Sequence, residues 1–528
     1  MKEANKGYVV LVSLIVALGG FLMGFDASVI SGVVKFIEPR FGLTKIELGW
    51  AVSSLTLTAT LAMIFAGPLS NKYGRKRLLS VAASLYAISA ISSALAPTFT
   101  LLVIARMIGG LGVGASLIIA PMYIAEISPP KIRGTMVSFN QLNIVIGIST
   151  AFFTNYLILK LGQSDMAWAN ALEFDKFNWR WMLGLETLPA LLYFFSLFIV
   201  PRSPRWLMMR GYDDEALKTL QKAQGSETAG KDLDAIRLSI EKEANTKKAT
   251  LKDVFKPALR TVLMIGILLA ILQQITGINS VFFYAPMIFE KSGIGTDAAF
   301  SQAILVGIVN LVFTVVAMFF IDRYGRKILL IVGMTGIAVS MFLLSYGFGS
   351  ATYTLSDQTI SNLPPEINRG KLETLRNRIY HSENEFKSAL EEVLPAEDIK
   401  QFESEIMNST AKLNTGLILF GILGFVASFA VSIGPVMWVL FSELFPNMIR
   451  AVAISFVGFI NSAISFLVQL VFPWELETIG ISMTFLIYGL FAAAGLIYIF
   501  MKVPETKGKS LEELEVELTG IKTANIQA

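Results

Sequence analysis

Runs of apolar residues long enough to cross a bilayer recur along this chain, separated by short polar turns. About 20 mainly apolar residues cover the ~30 Å of bilayer hydrocarbon at ~1.5 Å per residue. Twelve stretches qualify: 8–34, 48–71, 78–95, 98–125, 134–159, 182–201, 261–289, 299–321, 328–349, 413–442, 451–474 and 479–501. Formal charge inside them is confined to Asp26, Arg106 and Glu186. The first stretch exceeds a signal-peptide core and holds Asp26 among glycines, so it reads as a retained span. The pattern predicts an all-α membrane protein with twelve transmembrane helices.

Two polar islands, 202–257 and 350–413, interrupt the pattern and hold nearly half of the charged residues. In the first, Asp213-Asp214-Glu215-Ala216-Leu217 and 233–240 predict short amphipathic helices. In the second, 371–380 and 384–393 read as helical. The short basic loops Lys72-Tyr73-Gly74-Arg75-Lys76-Arg77 and Asp322-Arg323-Tyr324-Gly325-Arg326-Lys327 share one side if the spans alternate. By the positive-inside rule that side is the cytoplasm, with both termini on it and 350–413 outside.

The chain also repeats itself. Asn71-x-x-Gly74-Arg75-Lys76 matches Asp322-x-x-Gly325-Arg326-Lys327, and Glu126-x6-Arg133 matches Glu443-x6-Arg450. The two offsets differ by almost the length of the second island, so removing it brings them into agreement. The organisation expected is a six-helix half over 1–201, a cytoplasmic helical linker over 202–257, and a second six-helix half over 258–528. The second half carries the insertion 350–413 and a cytoplasmic tail, 503–528. Two parallel pseudo-symmetric halves are the architecture of carriers that alternate access around a midplane site.

Composition sharpens the class. Hydrophobic residues make up 54% and charged residues 16%, against roughly 25% charged in ordinary soluble domains. A net charge of +4 gives no reason to expect a nucleic-acid partner. There is no Cys, and the single His, His381, lies in a polar island, so no catalytic set, metal site or cofactor is expected.

Chemistry therefore has to come from polar groups within the spans. Gln273, Gln274 and Asn279 cluster around Gly277 in one apolar run. Neutral amides can both donate to and accept from a ligand, although amides also glue membrane helices together. Trp438 follows Gly434-Pro435, a pair able to break a helix, and offers either a stacking plate or an interfacial anchor. An ionised carboxylate in a span costs about 2.5–3.5 kcal/mol on insertion scales and usually marks an ion path. Asp26 is such a group, with Arg106 its natural counter-ion. Protonating Asp26 would release Arg106 and let a loaded carrier reorient; a purely structural ion pair is the other reading.

Ordered motifs then make the chain recognisable. They are Gly24-Phe25-Asp26 with Ser31-Gly32; Gly67-x6-Gly74-Arg75-Lys76; Pro121-Met122-Tyr123-x2-Glu126-x6-Arg133-Gly134; Gln273-Gln274-x2-Gly277-x-Asn279 with Tyr284-Ala285-Pro286; Gly434-Pro435-x2-Trp438 with Ser442-Glu443; and Pro504-Glu505-Thr506-Lys507-Gly508. The chain resembles the sugar porter family of the major facilitator superfamily, apart from 350–413. That resemblance implies a substrate site of Gln141, Gln273, Gln274, Asn279, Tyr284, Asn310, Gly434, Trp438 and Asn461. It implies proton coupling at Asp26 and adds Glu186, which otherwise reads as an interfacial carboxylate. It also implies a cytoplasmic gate of Gly74, Arg75, Glu126, Arg133, Asp322, Arg326, Glu443 and Arg450, in which Arg75 and Arg326 reach Glu443 and Glu126 or helix ends of the opposite half. The alternative for these charges is topology alone.

There are departures from the family pattern. The sequence Pro201-Arg202-Ser203-Pro204-Arg205 has Arg202 where the family has Glu, and Asn461-Ser462 lacks the Trp common after the helix-eleven amide. The expected activity is proton-coupled import of a neutral monosaccharide such as xylose, glucose or galactose, by a monomer in a bilayer, the bacterial inner membrane being expected. A facilitative uniporter of the same fold and a membrane sugar receptor are the alternatives.

Overall fold

The computed structural model describes residues 6–130, 132–245, 250–363, 367–381, 383–395, 399, 402, 406, 409–446, 448–509, 513–514 and 517–518. Among the described residues, eleven helices are long and apolar enough to cross a membrane. Spans one to five are Lys6–Phe41, Lys45–Tyr73, Arg75–Leu95, Phe99–Ile127 and Arg133–Gly162. Span six is two short helices, Asn178–Gly184 and Thr187–Ser196, parted at Leu185 and Glu186, so no continuous long helix covers 182–201. Span seven is Arg260–Ile275 followed by Ile278–Glu290, and spans eight and nine are Thr296–Tyr324 and Arg326–Gly349. Span ten is Thr415–Val431 followed by Ile433–Leu444, and spans eleven and twelve are Arg450–Thr478 and Ile481–Lys502.

Local chemistry sets these boundaries. Span two opens on a capping box in which Thr44 accepts from the Glu47 N–H and the Glu47 carboxylate answers at the Thr44 N–H. Gly74 and Gly325 hold φ of +95° and +96°, a conformation that a side chain would strain. A single glycine therefore separates span two from span three and span eight from span nine.

Alternating spans give the bundle two faces, one carrying the chain ends and the other the 350–413 insertion. One apolar core runs through spans seven to twelve and takes in the insertion-face ends of the first six spans, including Val33, Leu48, Ala51 and Phe152. A separate core, with Val9, Leu79, Tyr123 and Leu197, packs the opposite ends of the first six spans together with Ala223 of the helix Asp213–Gln224. Apolar packing thus continues across the bundle at the insertion face.

Linker helices Asp213–Gln224 and Ser226–Asn245 cover the two helical signatures read in the first island. The insertion differs from expectation. Helix Glu383–Val393 forms as the 384–393 pattern predicts, but 371–380 is no helix. It contains a short helix end, a 3-10 turn and strand Ile379–Tyr380, which pairs antiparallel with Thr352–Thr354, as does Ala411–Lys412. Tertiary contact overrides local propensity here: Asn377 adopts φ +56° and donates its N–H to Leu355 at 2.8 Å. Tyr380 then lies 5.3 Å from the Phe386 ring in a small core of its own.

Candidate functional site

Span seven breaks where the amides cluster. Gly277 takes φ +88°, and a Cβ there would approach the Tyr488 ring to 2.4 Å, so only glycine fits the turn. The break places Gln273 and Gln274 at the end of one helix and Asn279 at the start of the next. Span ten breaks at Ser432, and the carbonyls of Ile433 and Gly434, in the first turn after the break, accept from Gln273 Nε2 at 3.1 and 3.2 Å. Backbone opened at membrane depth is tolerated only where protein or a cavity satisfies it.

Span eleven completes the cluster. Asn461 donates to the Ala270 carbonyl at 2.9 Å and to Gln273 Oε1 at 2.8 Å, and its Oδ1 accepts from Gln274 at 3.1 Å. Asn279 donates to Gln274 Oε1 at 2.8 Å and to Ser465 Oγ at 2.6 Å. The four amides satisfy one another. An unsatisfied buried amide costs on the order of 1–3 kcal/mol, so an arriving ligand must replace bonds already made.

The network runs further than the sequence reading took it. Gln469 donates to Ser465 at 2.7 Å and accepts from Thr56 of span two at 2.9 Å, while Tyr284 donates to the Gln469 carbonyl at 3.0 Å. The missed signal was spacing: Asn461, Ser465 and Gln469 fall at i, i+4 and i+8, one polar stripe on an apolar helix. Trp438 is half exposed, its ring edge-on to Phe441, and Gly434 sits against Phe429. Gln141 is exposed and Asn310 buried. Among the described residues, no hydrogen bond joins either to the amide cluster.

A second polar centre lies in spans one, four and six. Arg106 Nη1 stands 3.3 Å from Asp26 Oδ1, and its Nε donates to the Ala51 carbonyl at 2.9 Å. Both side chains are almost completely buried. Among the described residues Asp26 Oδ2 has no hydrogen-bond partner, and it faces Gly109, where a Cβ would come within 2.8 Å of it. Glu186 sits buried at the break in span six, its Oε1 without a hydrogen-bond partner among the described residues and the charges of Asp26 and Arg106 within electrostatic reach. Burying such groups is costly unless each charge is matched, and here two carboxylates share one guanidinium.

The charges at the face carrying the chain ends are arranged differently from expectation. Arg75 binds Glu126 at 2.8 Å, and Arg326 binds Glu443 at 2.8 Å, each within its own group of six spans. Arg75 also donates to the Ser70 carbonyl and Arg326 to the Ile321 carbonyl. The turns at Gly74 and Gly325 explain this, because each folds its guanidinium back onto the end of the preceding helix. Ser203 donates to Glu126, and Thr506 donates to Glu443 at 2.6 Å. Arg450 donates to the Phe445 carbonyl at 3.0 Å. Arg133 faces the linker, where it lowers the Asp232 carboxyl against a larger upward push from partial burial. The side chain of Asp322 lies outside the described residues.

The sequence matches the family described as Sugar (and other) transporter over residues 12–363 and 403–518. The chain belongs to this family. This sugar transporter is 34% identical over 519 residues to the arabinose-proton symporter of Bacillus subtilis, covering 97% of this chain and 96% of that one. It is also 34% identical over 545 residues to the D-xylose-proton symporter of Escherichia coli, with the same coverage. Its structure resembles the inward open conformation of the xylose transporter XylE from E. coli, with a TM-score of 0.73 and 31% identity, covering 97% of this chain and 100% of that one. The sugar transporter is thus a multi-pass membrane protein of the major facilitator fold, with twelve spans in two six-helix halves.

Proposed function

We propose that this protein imports a neutral monosaccharide together with a proton by alternating access. The observation that carries the reading is the pairing of two centres: neutral amides at the break in span seven, and a buried carboxylate with a single counter-ion in span one. Gln273, Gln274, Asn279 and Asn461 exchange their mutual bonds for sugar hydroxyls, and Tyr284, Gly434 and the exposed Gln141 and Trp438 complete the site with Asn310. Asp26 takes the proton, Arg106 responds to its charge, and Glu186 shares that guanidinium. The named substrates of the relatives, arabinose and xylose, support a pentose or similar ring.

The assignments of 1–201 and 258–528 as moving halves and 202–257 as linker belong to this reading. So do a cytoplasmic location for both termini, a bacterial inner membrane and action as a monomer. The halves pack together at the insertion face, which corresponds to an inward-facing carrier. The gate residues Gly74, Arg75, Glu126, Arg133, Asp322, Arg326, Glu443 and Arg450 then serve as two rigid brackets, one per half, that meet when the carrier faces outward.

One charge crossing 100 mV supplies about 2.3 kcal/mol, enough for roughly fiftyfold accumulation of a neutral solute. The test is uptake of radiolabelled xylose, arabinose, glucose and galactose into proteoliposomes under an imposed proton gradient. Accumulation that collapses with a protonophore, while counterflow persists, supports symport. Equal uptake with and without protonophore points to a uniporter, and binding without uptake to a receptor.

A further inference from the structure

Span seven's second helix is held at both ends. Its base is the glycine hinge, Gly277, with Asn279 two residues on and Tyr284 at a kink of φ −126°. Its far end is Glu290, followed by Gly293 at φ +84° and then Thr296 and Asp297, which open span eight. Two lysines from the first half grip this turn. Lys35 of span one binds Glu290 at 2.5 Å and also donates to Thr296. Lys160 of span five binds Asp297 at 2.5 Å, and Gln163 donates to the other Asp297 oxygen at 2.8 Å. These ion pairs join the two halves, whereas Arg75–Glu126 and Arg326–Glu443 stay within one half each.

We propose that Lys35 and Lys160 are positioning residues for the sugar site, latching the span seven–eight turn so that Asn279 is held against Gln274 and Ser465 while the outer entrance is closed. The proposal rests on the alternating-access reading above. The lever is mechanical: Ile278–Glu290 moves about Gly277, and Lys35–Glu290 and Lys160–Asp297 tie its tip to the other half. Lys35 and Lys160 are each more than a third exposed, so each pair contributes modestly and is screened by salt. A latch of this strength releases within a transport cycle.

The cysteine-free chain makes the test direct. Ala303 is 1% exposed on span eight, one turn beyond Phe300, whose ring lies 6.5 Å from Phe36 of span one. An Ala303→Cys reporter is labelled from the insertion face by a membrane-impermeant maleimide. Lys35→Met with Lys160→Met should raise the labelling rate roughly threefold to tenfold. It should lower kcat for sugar uptake with little change in KM, while Lys35→Glu combined with Glu290→Lys should restore both. Labelling unchanged in the double methionine variant overturns the proposal, as does equally fast labelling in the charge-swapped protein. Failure of all sugars in counterflow while labelling still responds would uphold the latch and reject the sugar reading instead.

Discussion

Arg75 and Glu126 meet at 2.8 Å with their side chains only 3% and 9% exposed, and both belong to the first half. A buried pair within one half is a bracket for that half. Removing one partner leaves an uncompensated buried charge, which typically costs 3–5 kcal/mol. Arg75→Ala is therefore expected to lower thermal stability in detergent markedly, by more than the half-exposed pair Arg202–Glu215 would on losing a partner. A loss of transport at unchanged melting temperature would instead favour a gate spanning both halves.

Glu505 accepts four backbone N–H groups, from Arg326, Lys327, Thr506 and Lys507, at 3.0–3.1 Å. It thereby caps span nine, whose helix dipole favours an acid at that end. At the matching place in the first half stands Arg202, close enough to Lys76 to repel it, and among the described residues no carboxylate accepts from the first N–H groups of span three as Glu505 does in span nine. Glu505→Ala should cost about 1–3 kcal/mol by orphaning these donors. Arg202→Glu, made together with Glu215→Gln so that no like-charge pair is created, should gain up to about 1 kcal/mol. Differential scanning fluorimetry reads both, and shifts of the same sign would refute the comparison.

Gln469 ties Ser465 to Thr56 across the two halves. Gln469→Leu should raise the KM for sugar roughly tenfold by leaving Ser465 and Thr56 short of a partner. Gln274→Ala, which removes three bonds of the amide cluster, should do more. Binding measured by tryptophan quenching checks the order; equal affinity in both variants and the parent would show that the network is only structural glue.

Twelve spans, the internal repeat and the central amides are legible in the sequence because each is a pattern with a physical period or a costly residue in oil. Asp26, Arg106 and Glu186 stood out as the only charges in long apolar runs. What escaped is what depends on tertiary closure. The partner choice of Arg75 follows from a backbone turn at Gly74 that no side-chain pattern records. Ser465 and Gln469 carry no charge and pass for ordinary helix positions until Asn279 and Thr56 are seen facing them. In the insertion, 371–380 has helical composition, yet Tyr380 is worth more paired with Tyr353 and packed on Phe386.

That insertion has its own core. Phe386 is completely buried beside Tyr353 and Tyr380, and Phe→Ala in such a site costs about 3–5 kcal/mol. Phe386→Ala should open 350–413 to limited proteolysis while the melting temperature of the twelve-span bundle stays put. Parallel loss of both would show that module and bundle fold as one unit.

The carboxylate of Asp26, with one oxygen on Arg106 and the other bare, is the group whose charge is proposed to tie sugar movement to the proton gradient. The deciding measurement is Asp26→Asn in proteoliposomes, assayed for both sugar counterflow and gradient-driven accumulation. Counterflow should persist and accumulation should vanish. A variant that still concentrates sugar in response to an imposed proton gradient would contradict the account.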